Sequence, residues 1–220
     1  MEIKLVRCKG CRKNIIPQSN GIYHFCGTEC KIAWLNSPEG KRKMTITSKV
    51  LEKQHKVEVK ARAIRMKESV KSLSDYTKEL QKEINTIVRL IDKGHVCISS
   101  QKTCNKFDAG HFISCSAAGF LRFNLFNIYA QGVHSNQYKS GDIHNYRIGL
   151  YTIFGLSHLE FVEGLRLKYQ HIKFDKETLK EKIVIAREIV RELKKADLTY
   201  STLERLELRE LYNNQLGIYL

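Results

Sequence analysis

The chain has 220 residues, with 38 Lys and Arg against 23 Asp and Glu, a formal net charge of +15. That length allows one ordinary domain with an appendage, or two small ones, and the charge favours a polyanionic partner, nucleic acid ahead of an anionic membrane surface. No apolar run approaches the roughly 20 residues of a membrane span and the start, MEIKLVRCKGC, has no apolar signal core, so a cytosolic protein is expected whose seven Cys are metal ligands or buried thiols before they are disulfides.

Residues 1–40 read as a four-cysteine finger. Cys8-x2-Cys11 and Cys26-x3-Cys30 lie 14 residues apart, a spacing that can close a tetrahedral Zn2+ site. Gly10 and Gly27 would let the backbone fold its amides toward sulfur. So short a unit has too small an apolar core to hold itself, and zinc could supply roughly 10 kcal/mol or more of folding free energy. The other reading is four buried thiols in a reducing cell. His24 is either a competing ligand or a surface residue. The spacing speaks for metal and is silent on whether the finger grips DNA, grips protein or caps a helix.

Residues 41–94 read as a basic helical spacer. Residues 45–92 contain neither Pro nor Gly, and Leu73, Tyr76, Leu80, Ile84, Ile87 and Ile91 step by three or four, one apolar stripe on a helix that Gly94 would end. Lys41 to Lys71 holds eleven Lys and Arg against three Asp and Glu. Such a helix either lies along a phosphate backbone, with salt-sensitive affinity, or presents a solvated face. The stripe could pair with C-terminal helices or with a second copy in a homodimer, and the sequence leaves both open.

Residues 95–155 change character. Short β-prone runs, Val96–Ser99, Phe112–Cys115, Leu121–Phe123 and Ile128–Ala130, lie among Gly, Ser and Asn, and a helical pattern resumes after Ser135. Residues 156–220 are helical: 176–195 with Asp175 as N-cap, and about 200–213 opened by Ser201. The fold class expected is α+β: a zinc finger, a long basic helix, a small ββα core and a helical C-terminal tail.

The core holds the residues that phosphodiester hydrolysis needs. A base must take a proton from water near neutral pH, which suits His. A hard cation on the phosphate calls for oxygen ligands. His111 ends the run Asp108-Ala-Gly-His111, Asn127 follows sixteen residues later, and Asn136 nine after that. A β-hairpin followed by a crossing helix would bring the three together. Taken singly, a His after Gly or an Asn in a turn is an ordinary structural residue; the joint spacing with Arg122, Gly141 and Arg147 is what points to a site.

This arrangement resembles the HNH, or ββα-metal, nucleases, and more closely the lambdoid-phage NinG family, also called Rap, recombination endonucleases that cut branched DNA. The resemblance runs through the four-cysteine finger, a charged helical spacer, Cys97-Ile-Ser, Asp108-Ala-Gly-His111-Phe, Leu121-Arg122-Phe123-Asn124, Asn127-Ile128, Gln131, Asn136-Gln137, Lys139-Ser140-Gly141 and Tyr146-Arg147. It implies a Mg2+- or Mn2+-dependent endonuclease acting on Holliday junctions and D-loops. His111 would be the general base, and Asn127 would fix the loop and the imidazole. Asn136 would be a metal ligand, and Arg122, Lys139 and Arg147 would bind phosphate. The usual motif has an acidic residue directly before the His, where this chain has Gly110. Asp108, two residues earlier on the same strand face, is the candidate for that ligand.

One departure concerns a second structural zinc, which the resemblance implies is held by two Cys-x2-Cys pairs. Here those positions read Cys97, Ser100, Gly132 and Ser135, and one thiolate cannot hold a zinc. Cys104, Cys115 and His134 fit no spacing that rebuilds the site, so zinc-free packing is expected. Two other functions stay open: a non-catalytic zinc-finger nucleic-acid-binding protein with a degenerate nuclease core, and a zinc-finger adaptor for a protein partner.

Overall fold

The structure is a computed structural model that describes residues 5–16 and 24–219. The chain forms two compact units, Met1–Val70 and Lys71–Leu220.

In the first unit, β1 (Val6–Arg7) pairs antiparallel with β2 (Asn14–Ile15), and α1 (Thr28–Asn36) is followed by α2 (Pro38–Ser69). The α1–α2 corner is set locally. Ser37 is the N-cap of α2, accepting the Gly40 N–H at 3.1 Å, and Pro38 starts the helix where its missing N–H costs nothing. Gly40 has to be Gly: a Cβ there would stand 2.0 Å from the Trp34 carbonyl oxygen. Beyond Gly40, α2 buries none of its residues, and Val50, Val57 and Ile64 are exposed along with its Lys and Arg.

The expected single helix over 45–92 is two helices. The break at Val70–Ser72 comes from a capping box: Ser72 Oγ accepts the Asp75 N–H at 3.2 Å, and Asp75 accepts the Ser72 N–H at 2.9 Å. The second helix, α3 (Leu73–Ile91), carries the apolar stripe: Tyr76, Leu80, Ile84, Ile87, Val88 and Ile91 are buried, while Leu73 stays exposed. α6 (Lys176–Ala196) covers that stripe with Leu179, Ile183, Ala186, Ile189 and Leu193. α3 ends at Ile91, with Asp92 as its C-cap and Gly94, at φ 82°, in the turn beyond.

Against α3 lies a two-stranded antiparallel hairpin, β3 (Phe107–His111) and β4 (Ile128–Gly132), paired from Phe107↔Gly132 to His111↔Ile128. A π-helical turn (His134–Tyr138), α4 (Ile143–Phe154) and α5 (Leu156–Lys168) follow β4. α7 (Thr202–Leu216) packs against the turn Leu125–Asn127. Of the β-prone runs, only Ile128–Ala130 lies in a strand. Val96–Ser99 instead enters a turn closed by Cys97 N–H to Lys102 O and Gln101 N–H to Cys97 O, both 2.9 Å. Phe112–Cys115 bends away just after β3, and Leu121 ends a 3-10 turn, Gly119–Leu121. The Asp175 and Ser201 caps are present, accepting from Thr178 and Glu204 N–H.

Candidate functional site

The four finger thiols converge. The Cys8, Cys11, Cys26 and Cys30 sulfurs all lie within 4.8 Å of one another, with Cys26 at 3.7, 3.6 and 3.3 Å from Cys8, Cys11 and Cys30. Desolvation opposes the charge on Cys8, but the N–H groups of Cys11, Cys26 and Gly10 outweigh it and hold that thiol down at about 6. Cys26, crowded by the sulfurs of Cys30, Cys11 and Cys8, is pushed up to about 12. Four thiols this close cannot all ionise unaided, and a divalent soft cation relieves that conflict. The donor set fits a zinc ion. Gly10 is required for closeness, since a Cβ there would meet the Cys30 carbonyl oxygen at 2.7 Å. Gly27 is not: its backbone is extended, with nothing within 4 Å of a Cβ, and among the described residues of this unit the left-handed one is Arg12 at φ 66°.

In the second unit, β3, the π-helical turn and the start of α4 surround a cavity of about 640 Å³, lined by His111, Phe112, Ile113, Asn136, Gly141 and Ile143 among others. His111 Nε2 lies 2.9 Å from the Arg122 carbonyl oxygen. A carbonyl only accepts, so Nε2 carries the proton and Nδ1 is the ring's basic nitrogen. Burial, with the Arg122 charge adding to it, holds the imidazole below its ordinary 6.5, against the opposing Arg122 hydrogen bond. That shift favours the neutral imidazole, the form able to accept a proton.

Asp108 and Asn136 meet: the Asn136 carboxamide donates to Asp108 Oδ2 at 3.0 Å, and Gln137 donates to the same oxygen at 2.8 Å. The π-helical turn brings these two neighbours to one carboxylate. Asn127 is fully buried and does not line the cavity. Its Oδ1 accepts the Ile113 N–H at 2.8 Å and its Nδ2 donates to Ile113 O at 2.9 Å and Leu121 O at 3.4 Å. It pins the loop after β3, whereas the imidazole is oriented by Arg122. Arg122 thus contributes its carbonyl, and its guanidinium charge reaches His111 and Cys115. Lys139 is exposed, 3.8 Å from Asp142. Arg147 pairs with Glu163 on α5 at 2.7 Å and lies outside the cavity lining.

Gly110 stands where the HNH resemblance implies an acid, and a side chain there would crowd the Gln131 carboxamide. A Cβ at Gly110 would lie 2.0 Å from the Gln131 Oε1 atom. Gln131 is itself buried, donating to Ser99 Oγ at 2.6 Å and Gly141 O at 2.5 Å, and its Oε1 has no hydrogen-bond partner.

Sequence reading missed the supports. Asp92, Arg205 and Arg209 form a fully buried ion cluster behind β4. Asn213 accepts the Leu125 N–H, and Tyr219 Oη accepts the Phe123 N–H and donates to Phe120 O. The i, i+4 spacing of Arg205 and Arg209 on a helix was the one available signal, and it reads equally well as a solvated face.

Fold and site together define a helix-rich, basic protein with a small β-hairpin core and a four-thiol cluster able to hold zinc. The chain belongs to the NinG family: the family described as "Bacteriophage Lambda NinG protein" matches residues 1–197. Over 97 residues it is 36% identical to "Protein ninG" of Escherichia phage lambda and of Enterobacteria phage H19B, and 35% identical to that of Salmonella phage P22. In each case the alignment covers 44% of this chain and 48% of the relative, so the match spans about half the length of these curated relatives. No solved structure matches the chain. Among the described residues, no helix is long and apolar enough to cross a membrane.

Proposed function

We propose that this protein is a metal-dependent DNA endonuclease of the HNH type that cuts branched recombination intermediates, Holliday junctions and D-loops, in a phage or prophage setting. The observation that carries the reading is that His111, with Nε2 on the Arg122 carbonyl, shares one cavity with Asn136, whose carboxamide touches Asp108. One carboxylate with two carboxamides is a hard-oxygen donor set suited to Mg2+ or Mn2+. Asp108 and Asn136 would hold the ion, with the amide turned to present its oxygen. The bound ion supplies stabilisation of charge on the phosphate. His111 accepts the proton of the attacking water at Nδ1 while Nε2–H stays on Arg122 O. Asn127 keeps that loop in place. Lys139 and Arg122 offer positive charge to the phosphate, and the Lys- and Arg-rich α2 tracks more of the DNA backbone.

The second reading is a nucleic-acid-binding protein with an inert core. It draws on the single carboxylate and on the Glu163 ion pair that occupies Arg147. Incubation of the full chain with a four-way junction and Mg2+ or Mn2+, beside a His111→Ala variant, separates them. The enzyme reading expects cutting that falls by about 10²–10⁴-fold in the variant. Equal cutting by both, or salt-sensitive binding without cutting by either, would end it.

A further inference from the structure

The turn at Cys97 repeats the hydrogen bonding of the finger turn at Cys8. In the finger, Cys8 N–H donates to Lys13 O at 2.8 Å, Arg12 N–H donates to Cys8 O at 2.9 Å, and Arg12 is left-handed at φ 66°. In the second unit, Cys97 N–H donates to Lys102 O and Gln101 N–H to Cys97 O, both at 2.9 Å, and Gln101 is left-handed at φ 52°. Each sulfur also receives an N–H from the next segment. Cys26 donates to Cys8 Sγ at 3.4 Å, and Gly132 donates to Cys97 Sγ at 3.1 Å. By this correspondence Ser100 and Gly132 stand where the finger has Cys11 and Cys26.

The sulfur count differs. A Cβ on Gly132 would lie 2.6 Å from Cys104 Sγ and 3.6 Å from Cys97 Sγ, so two sulfurs crowd the one point where a side chain is missing. Cys97 is fully buried and Cys104 half-buried. Two thiols are half of what a tetrahedral zinc takes. Among the described residues, the one group of three or more ligating side chains is the finger cluster.

We propose that Cys97 and Cys104 are a reversible dithiol–disulfide pair, oxidised by a small-molecule disulfide. The more accessible Cys104 thiolate attacks one sulfur of the reagent and releases one thiol. The Cys97 sulfur then attacks Cys104 Sγ in that mixed disulfide and releases the second. Two protein thiols give up two protons and two electrons, and the reagent leaves as two thiols. The N–H groups of Ser100 and Gly132 aimed at Cys97 favour its thiolate, the attacking form in the second step. The link would strap the 97–104 turn beside Gly132, four residues before Asn136. This inference does not rest on nuclease activity.

The test is chemical. The zinc-loaded full chain is equilibrated with reduced and oxidised glutathione, quenched in acid, alkylated and digested with trypsin. Lys93, Lys102 and Lys106 place the two cysteines on separate peptides, 94–102 and 103–106. The expected product is those peptides joined, lighter by about 2 Da than the reduced pair. Cys115, half-buried and among the described residues without a second sulfur beside it, should carry glutathione only. Cys104→Ser should abolish the joined peptides, and it keeps the test alive if Cys97→Ser does not fold. Glutathione on Cys104 with Cys97 still alkylated would overturn the proposal. So would a second zinc per chain that both variants release.

Discussion

Arg209, near the middle of α7, donates from a single guanidinium nitrogen to both carboxylate oxygens of Asp92 at the end of α3, each at 2.8 Å. Arg205 adds a bond to Asp92 Oδ1 at 2.8 Å, and Asp92 Oδ2 accepts the N–H of Ala130 in β4 at 2.8 Å. Arg209 also stacks on the Tyr129 ring, 4.2 Å from its centroid, and reaches the Leu125 carbonyl. The C-terminal helix is therefore a clamp on the strand and turn that carry Asn127. Burial works against the Asp92 charge, and the two guanidiniums outweigh it, holding that carboxyl below its usual range.

Asp92→Asn leaves two buried guanidiniums without their counter-charge. The cost expected is about 3–5 kcal/mol, because breaking a buried pair strands a charge away from water. Arg187→Gln, which removes a half-exposed partner of Glu79, should cost less than about 1 kcal/mol. Urea unfolding of both variants checks this, and similar small losses in the two would refute the clamp.

Asn127→Ala removes three hydrogen bonds and leaves the Ile113 N–H without its side-chain acceptor in a half-buried loop. The expected cost is about 1–3 kcal/mol. Amide exchange should speed up at Ile113 while β4 amides such as Ala130 keep their protection. Unchanged exchange at Ile113 would show that the carboxamide does not hold this loop.

What the sequence made legible depended on range. The α3 stripe, the Asp175 and Ser201 caps and the turn within each finger cysteine pair rest on spacings of a few residues, which local geometry decides. The Ser72 capping box was equally local, yet the absence of Pro and Gly from 45–92 masked it. Within the candidate site, the Asp108–Asn136 contact follows from a hairpin that brings strand ends together. The Arg122 carbonyl on His111 could not be read, because a backbone oxygen leaves no residue-type signal. The ion cluster joins positions 113 and 117 residues apart, and only the packed fold puts those charges out of water.

Chelation should separate the two units. Stripping metal from the finger removes the cation that four crowded thiols need, so the pairing of β1 with β2 and the α1 contacts should be lost. Residues 71–220 have their own apolar core and should keep their unfolding transition. Co2+ substitution reports the thiolate set by its charge-transfer absorption. Loss of both transitions together on chelation would contradict this division.

Acid should weaken the second unit through His158. Burial, with the Arg209 charge adding to it, lowers this imidazole from 6.5 to about 4, and it lies 2.6 Å from the Tyr129 hydroxyl. Above pH 6.5 the ring is neutral folded or unfolded, so it makes no difference. Between pH 6.5 and about 4 the unfolded chain binds a proton that the folded chain refuses, and stability falls as pH falls. Below about 4 the loss from this group is complete and constant. His158→Gln keeps a polar partner for Tyr129 and cannot titrate there, so its melting temperature should fall less over that window. Parallel curves for the two proteins would count against a depressed His158.

Placing an acid directly before His111, as the common motif has it, should damage this chain. A side chain at position 110 needs the space that the Gln131 carboxamide fills, 2.0 Å from the Cβ position. To make room, that carboxamide must leave Ser99 Oγ and Gly141 O, both buried contacts. Gly110→Asp should therefore cost about 1–3 kcal/mol by overpacking and add an unpaired charge. Gln131→Ala alone should also destabilise, since it orphans Ser99 and leaves a cavity. The double variant Gly110→Asp with Gln131→Ala should be more stable than the sum of the two losses predicts, because each change relieves the other. A thermodynamic cycle by urea unfolding measures that coupling. Additive losses would mean that Gln131 does not set the identity of position 110.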